Sequence, residues 1–407
     1  MDAGTSLTQA DIFTSERALP VRMTHAAGEA TADDPPVLHA AIGLAEQIRA
    51  ASDEIERDRR IPPGIAAAMK DAGVFGMAMP RSWGGPELDP LTQFRVIESL
   101  AMGDGSVGWC AMIGSDGGYV TAFLDQDVAR TMYPDIRVAT GAAATTIGRA
   151  IRVPARYRVS GRFPFVSGCH HCEWAWLGCL VIEDGAPRVD DNGVPVTRQC
   201  FVRLSQCEIL DTWHTTGLRG TGSNDVGVHD EFVPEERTFS FQDPQLIKRP
   251  GALYAFPFLF IAKGAAPALG IARHAIDALV EDAAGKPARR YTLGERIEAP
   301  KVLRDDVYVQ EEWDAQRRPS PRRARIISML WATYGQPCST AGSSPIGRLH
   351  YSPPPFHMSS AFASRWCSSS TRQQTAGRST GRVHSTAASA TWDNMTILRT
   401  LGHLPSG

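Results

Sequence analysis

Trp213-His214-Thr215-Thr216-Gly217-Leu218-Arg219-Gly220-Thr221-Gly222-Ser223-Asn224-Asp225 runs straight into Val226, Val228, Phe232, Val233 and Pro234. Polar, glycine-permitted backbone from Arg219 to Asp225 feeds an alternating strand. That pattern predicts a turn presenting N–H and hydroxyl groups beside a sheet, a place to hold an electron-rich ligand. Gly220-Thr221-Gly222 is not a dinucleotide fingerprint. It lacks a third glycine, and a strand follows it where a phosphate-binding helix would be needed.

Outward from that turn, the whole stretch 138–242 has period two. Tyr157, Val159 and Phe163 alternate with Arg158, Ser160 and Arg162, and Trp174 to Ile182 reads as a longer apolar strand. Val196 to Ile209 and Val226 to Val233 give two more, punctuated by turns such as Asp191-Asn192-Gly193. On either side the period becomes helical. Leu38, Ile42, Ala45, Ile48 and Ile55 form an amphipathic series, Ile65, Met69 and Val74 a short one, and Phe94, Ile97, Leu100 and Ala101 a third. Asp104 stands where it can cap a helix through Trp109. From Leu253, Phe260 to Leu279 is helical again. Helix, sheet, helix is an α+β order. It predicts a loose leader over 1–35, a helical domain over 36–137, an antiparallel β-barrel or sandwich over 138–242 and a second helical part over 243–407.

The chain has 407 residues, 43% hydrophobic and 21% charged, enough for a large core in two or three domains. A net charge of −2 gives no electrostatic reason to expect a nucleic acid or an anionic membrane as partner. No apolar run reaches membrane-spanning length. Eight cysteines scattered over such a length suit reduced thiols in a cytoplasmic protein better than a disulfide framework.

In Phe163-Pro164-Phe165-Val166-Ser167-Gly168-Cys169-His170-His171-Cys172, alternation places Phe163 and Phe165 on one strand face, with Ser167 reaching that face at the strand end. An aromatic plane beside a hydroxyl suits a flat heteroaromatic ligand, while two core phenylalanines and a turn serine account for the same residues. The Cys-His-His-Cys run has no second Cys/His pair at suitable spacing, so no metal site is predicted.

Taken together, Phe165-Val166-Ser167-Gly168 and Arg219-Gly220-Thr221-Gly222-Ser223 resemble the middle β-domain of acyl-CoA dehydrogenase-type flavoproteins, closest to their two-component monooxygenase branch. The resemblance covers about 38–312, with a weak echo at 382–404. It implies flavin, FMN or FAD supplied reduced by a separate reductase, and oxygen transfer to a small organic substrate. Phe165 would wall the flavin ring, with Ser167 near its N5 and C4a. Thr140, Arg219, Gly220, Thr221 and Ser223 would hold the cofactor, and Ser106 and Trp109 would line the substrate pocket. It further implies a C-terminal catalytic His, matched by His384, and a homotetramer. A second C-terminal His of that branch is replaced by Ser389, and a His expected about ten residues after Trp109 is missing. An acyl-CoA dehydrogenase is the first alternative. A non-catalytic remnant acting as a binding protein is the second.

Beyond about Trp313 the composition breaks. No Lys follows Lys301, no Asp or Glu lies between Asp314 and Asp393, and Ser, Arg, Pro and Thr dominate. A disordered tail fits 315–382. So does a helix-coding segment read out of frame, since Thr391-Trp392-Asp393-Asn394-Met395 again resembles the family's last helix. On either reading the C-terminal bundle is disrupted.

Overall fold

The computed structural model describes residues 30–243, 245–255 and 259–285. His384, Ser389 and the atypical 315–382 stretch lie outside them. Residues 30–35, expected in a loose leader, are held in place. Asp34 accepts two hydrogen bonds from Arg95, at 2.6 and 2.9 Å, and one from the Thr31 amide. The Arg95 guanidinium holds the Asp34 carboxyl well below the usual carboxylate range.

Helix α1 (Pro36–Ala50) starts with proline at its first position and buries Leu38, Ala41 and Ile48. The sequence periodicity runs on to Ile55, but the structure breaks at Ala51 and restarts as α2 (Ser52–Asp58). Arg59 then takes a left-handed conformation (φ 53°), which ends α2 and turns the chain toward the sheet. Helix α3 (Pro63–Asp71) and a tight turn at Val74–Gly76 follow. The long α4 (Pro90–Gly103) is buried along most of its length, and α5 (Gly105–Gly114) packs beside it. Asp104 caps α5 as its position predicts, accepting from Ser106 N at 2.7 Å and Val107 N at 3.3 Å. Two short helices, α6 (Gly117–Val120) and α7 (Gln126–Met132), lead into the sheet.

The sheet has eight strands: β1 (Ala139–Val153), β2 (Arg156–Phe163), β3 (Cys172–Glu183), β4 (Ala186–Pro187), β5 (Thr197–Arg203), β6 (Glu208–Leu210), β7 (Asp225–Pro234) and β8 (Thr238–Phe239). Their order is β6-β7-β2-β1-β3-β5-β8, with β4 on β3. One pairing departs from the antiparallel expectation: β1 and β3 run parallel, making the sheet mixed. The cause is the connection after β2. A hairpin would return on the same side of β2, but residues 164–171 cross over the start of β1 and lay β3 on its far side. Gly141 lets them pass, since a Cβ there would lie 3.2 Å from Val166 Cγ1. That crossover carries the Phe165 and Ser167 motif.

Both faces of the central strands are covered. Trp174, Trp176, Phe201 and Phe239 pack against Phe123, Tyr133 and Tyr254. Phe163, Val159, Leu177, Cys179, Val226 and Val228 form part of a second core that continues into α1, α4 and α5. Burial of this many large side chains is the main stabilising term. After the sheet come α8 (Leu259–Ala262) and α9 (Ala265–Gly285), and α9 packs on α4 and α5. No helix among the described residues is long and apolar enough to cross a membrane.

Candidate active site

Pro164 ends β2, because it has no N–H to give the ladder. Phe165 then takes a left-handed conformation (φ 62°) that a bulky residue adopts only under constraint. The constraint comes from both sides: Val166 N donates to Asn224 O at 3.1 Å, and Ser167 N donates to Phe165 O at 2.9 Å. The two phenylalanines therefore part. Phe163 is fully buried in the sheet core, against Gly148. Phe165 instead swings out, half-buried, and meets the Trp213 ring edge-on at 6.0 Å between centroids. The expected shared face for Phe163, Phe165 and Ser167 is corrected accordingly.

Ser167 is 8% exposed and sits in a line of side-chain donors and acceptors. Trp109 Nε1, on α5, donates to Ser167 Oγ at 3.1 Å. Ser167 Oγ lies 2.8 Å from Ser223 Oγ, and Ser223 Oγ lies 2.7 Å from Thr221 Oγ1. Thr221 Oγ1 donates to Leu218 O at 2.8 Å. Gly168 N donates to Thr221 O at 2.8 Å, tying the two loops together through backbone as well. The crossover after β2, the turn before β7 and the first half of α5 thus meet at one hydroxyl. Trp109 and Ser167 meet here, and Ser106, at the start of α5, is buried against Gly220.

The 219–223 residues are arranged differently from expectation. Arg219 Nε donates to Glu56 O at 3.1 Å and pairs with the Glu56 carboxylate at 3.3 Å, so its side chain is turned to α2. Gly220 has no room for a Cβ, which would fall on Ile55 Cγ2 and against Ser106. It is the close-approach point of this turn to α2 and α5. Thr221 and Ser223 are buried with their hydroxyls spent on each other, on Ser167 and on Leu218 O. These hydroxyls thus tie the turn to the Ser167 crossover. Thr140 stands apart too. It is fully buried, its hydroxyl 2.8 Å from Tyr133 Oη.

Sequence reasoning missed Asn224. This buried side chain accepts from Thr212 N at 3.0 Å and Trp213 N at 2.9 Å, and its Nδ2 lies 3.0 Å from His170 Nε2. An amide NH₂ only donates, so His170 Nε2 is the acceptor and carries no proton in this contact. Asn224 thereby fixes the Trp213 loop against the Phe165 crossover. The signal available was one amide residue at the strand entrance, indistinguishable from an ordinary turn asparagine.

Arg59 supplies the outer brace. Its guanidinium grips Asp211 with two bonds, at 2.7 and 3.1 Å, and donates to Trp213 O at 3.0 Å. The Cys-His-His-Cys residues diverge. Cys169 donates to Gly222 O, His170 meets Asn224, and the His171 ring stacks on Phe75 at 5.9 Å. Both His171 ring nitrogens are buried without a hydrogen-bond partner among the described residues. Burial drives the His171 pKa down to about 4, so the ring is neutral near pH 7.

Residues 41–136 match the family model of the acyl-CoA dehydrogenase N-terminal domain. The flavin-dependent monooxygenase oxygenase subunit HsaA of Mycobacterium tuberculosis is 33% identical over 275 residues, covering 65% of this chain and 67% of that protein. The HsaA protein of Rhodococcus jostii is also 33% identical, over 62% of this chain and 66% of its own length. The chain thus spans about two thirds of these relatives. The crystal structure of 3-HSA hydroxylase from Rhodococcus superposes with a TM-score of 0.61 at 27% identity, covering 74% of this chain and 75% of the other. With the helix–sheet–helix order and the Ser167 site already in place, these matches fix the family: the chain belongs to the flavin-dependent monooxygenases of the acyl-CoA dehydrogenase fold.

Proposed function

We propose that this chain is the oxygenase component of a two-component monooxygenase, using reduced FMN or FAD and O2 to hydroxylate a small aromatic substrate. The observation that carries the reading is the Ser167 hydroxyl, braced by Trp109 on α5 and Ser223 on the turn before β7, in a site that also holds the half-buried rings of Phe165 and Trp213. These residues fit an isoalloxazine. A flat, amphipathic ring needs an aromatic wall and one directed polar group, and the crossover provides both within three residues. Reduced flavin, when bound, would supply the electrons that activate O2.

The chain's own residues do the rest. Phe165 and Trp213 wall the ring and limit water, Ser167 sets its hydroxyl oxygen at the ring's polar edge, and Trp109 holds Ser167 in place. Ser106, on the same turn of α5, would border the substrate. Among the described residues Cys110, Cys169, Cys172, Cys179, Cys200 and Cys207 are unpaired thiols, which supports a reducing, cytoplasmic setting. The relatives' designation as an oxygenase subunit supports a separate flavin reductase and favours the oxygenase over the dehydrogenase alternative. The homotetramer and a catalytic role for His384 belong to the same reading and rest on the family resemblance.

The test is turnover with isotopically labelled O2. The protein is combined with a flavin reductase, NADH, FMN or FAD and a panel of phenols and indoles. Label in a hydroxylated product supports the proposal. Oxidation of an acyl-CoA without O2, and no label in any product, contradicts it.

A further inference from the structure

The hydrogen bonds around Ser167 have a fixed direction. Leu218 O is a carbonyl and can only accept, so the Thr221 hydroxyl proton is spent on it. A hydroxyl has one proton. Thr221 Oγ1 must then accept from Ser223, and Ser223 Oγ must accept from Ser167. At the other end Trp109 Nε1 is an indole N–H and can only donate, so it fills one Ser167 lone pair. Ser167 has given up its proton and keeps one acceptor site. Leu218 O is an unusually firm anchor for this order: Thr221 N and Trp213 Nε1 also donate to it, each at 3.1 Å, and Leu218 itself is held left-handed (φ 50°).

We propose that Thr221 is a positioning residue that, through Ser223, makes Ser167 a hydrogen-bond acceptor toward the flavin. This rests on the flavin reading above. Its consequence follows from flavin chemistry. Reduced flavin carries a proton on N5 and can donate there, whereas oxidised flavin presents a lone pair at N5. An acceptor-only Ser167 matches the first and opposes the second, so the site discriminates between redox states without touching the ring through Thr221 at all. Thr221 is 2% exposed and Ser223 4% exposed, which keeps water from supplying an alternative partner that would scramble the order.

The experiment measures dissociation constants for reduced FMN and FAD, by anaerobic titration, and for the oxidised forms, in the wild type, Thr221→Val, Thr221→Ser and Ser223→Ala. Thr221→Val keeps the shape and removes the acceptor that fixes the Ser223 proton. The wild type should prefer reduced flavin by about tenfold or more, the worth of one satisfied against one opposed hydrogen bond. Thr221→Val should lose most of that preference, chiefly by binding oxidised flavin more tightly, and Thr221→Ser should keep it. Where Thr221→Val does not fold, as judged by circular dichroism, Ser223→Ala decides, since it breaks the same order at its centre. A wild-type preference near unity, or an undiminished preference in the variants, overturns the proposal and leaves the flavin reading standing. No binding of either flavin to folded wild type overturns both.

Discussion

Replacing Lys263 with methionine should destabilise the protein by an amount that depends on pH. Lys263 lies between α8 and α9, is 2% exposed, and reaches into the end of α5, where Nζ meets Asp116 at 2.9 Å, Ser115 Oγ at 2.8 Å and Met112 O at 3.2 Å. The Tyr119 ring lies 5.1 Å from the same ammonium. Methionine keeps the length and leaves a buried carboxylate unpaired, a change that costs about 3–5 kcal/mol. For a domain of this size each kcal/mol moves Tm by about 2–4 °C, so the variant should melt about 6–20 °C lower near pH 8.

Burial raises the Asp116 pKa from 3.8 to about 6, against the lowering effect of Lys263. The folded chain therefore holds this proton more tightly than the unfolded one. The group's contribution to stability is intact below pH 3.8 and is lost as pH rises through about 6. Without Lys263 the pKa climbs further, and the carboxyl escapes the penalty by staying protonated. At pH 5, where wild-type Asp116 is already mostly protonated, the gap between the two proteins should shrink by about 1–3 kcal/mol. Thermal melts at pH 5 and pH 8, with Asp116→Asn combined with Lys263→Met as control, measure this directly. The double variant should recover much of the loss at pH 8. A loss equal at both pH values, or no recovery, would show that the ion pair is not what holds the α8–α9 junction against the end of α5.

Other consequences follow from the same geometry. Asp104→Ala should cost about 0.5–2 kcal/mol as a lost helix cap and, because Trp109 stands one turn further on, should also weaken reduced-flavin binding; melts and titrations together check it. Gly220→Ala should cost about 1–3 kcal/mol through overpacking against Ile55 and Ser106, read as a lowered denaturation midpoint. His171 is depressed from 6.5 to about 4, so its contribution is full above pH 6.5 and disappears as pH falls through about 4. Its ceiling is about 3 kcal/mol, and His171→Phe should flatten that part of the stability profile relative to wild type.

Much of the fold was legible because it was periodic. The change from helical spacing to period two near Val138, and back near Leu253, marked the helix–sheet–helix order without any contact information. The parallel β1–β3 pair was not legible. Hydrophobic alternation says which face a residue takes but not which neighbour a strand joins, and the crossover at 164–171 is a tertiary choice. The site was half legible. Phe165 and Ser167 stood together in one motif, and Trp109 joined them only through the family resemblance. The directions of Arg219, Thr221 and Ser223 could not, since a polar turn reads the same whether its hydroxyls face a ligand or one another. Phe165 illustrates the limit best: strict alternation puts it with Phe163, and only Pro164 hints that the strand stops first.

The central claim is that the Ser167 crossover meets a reduced flavin and shields its reaction with oxygen. The most direct measurement is anaerobic titration of the purified protein with reduced FMN and FAD, followed by rapid mixing with oxygenated buffer while the absorbance spectrum is recorded. The account predicts saturable binding, then a transient spectrum unlike either reduced or oxidised flavin before the oxidised form appears, shortened in Ser167→Ala. Reoxidation at the rate of flavin free in solution, identical in wild type and variant, would contradict it.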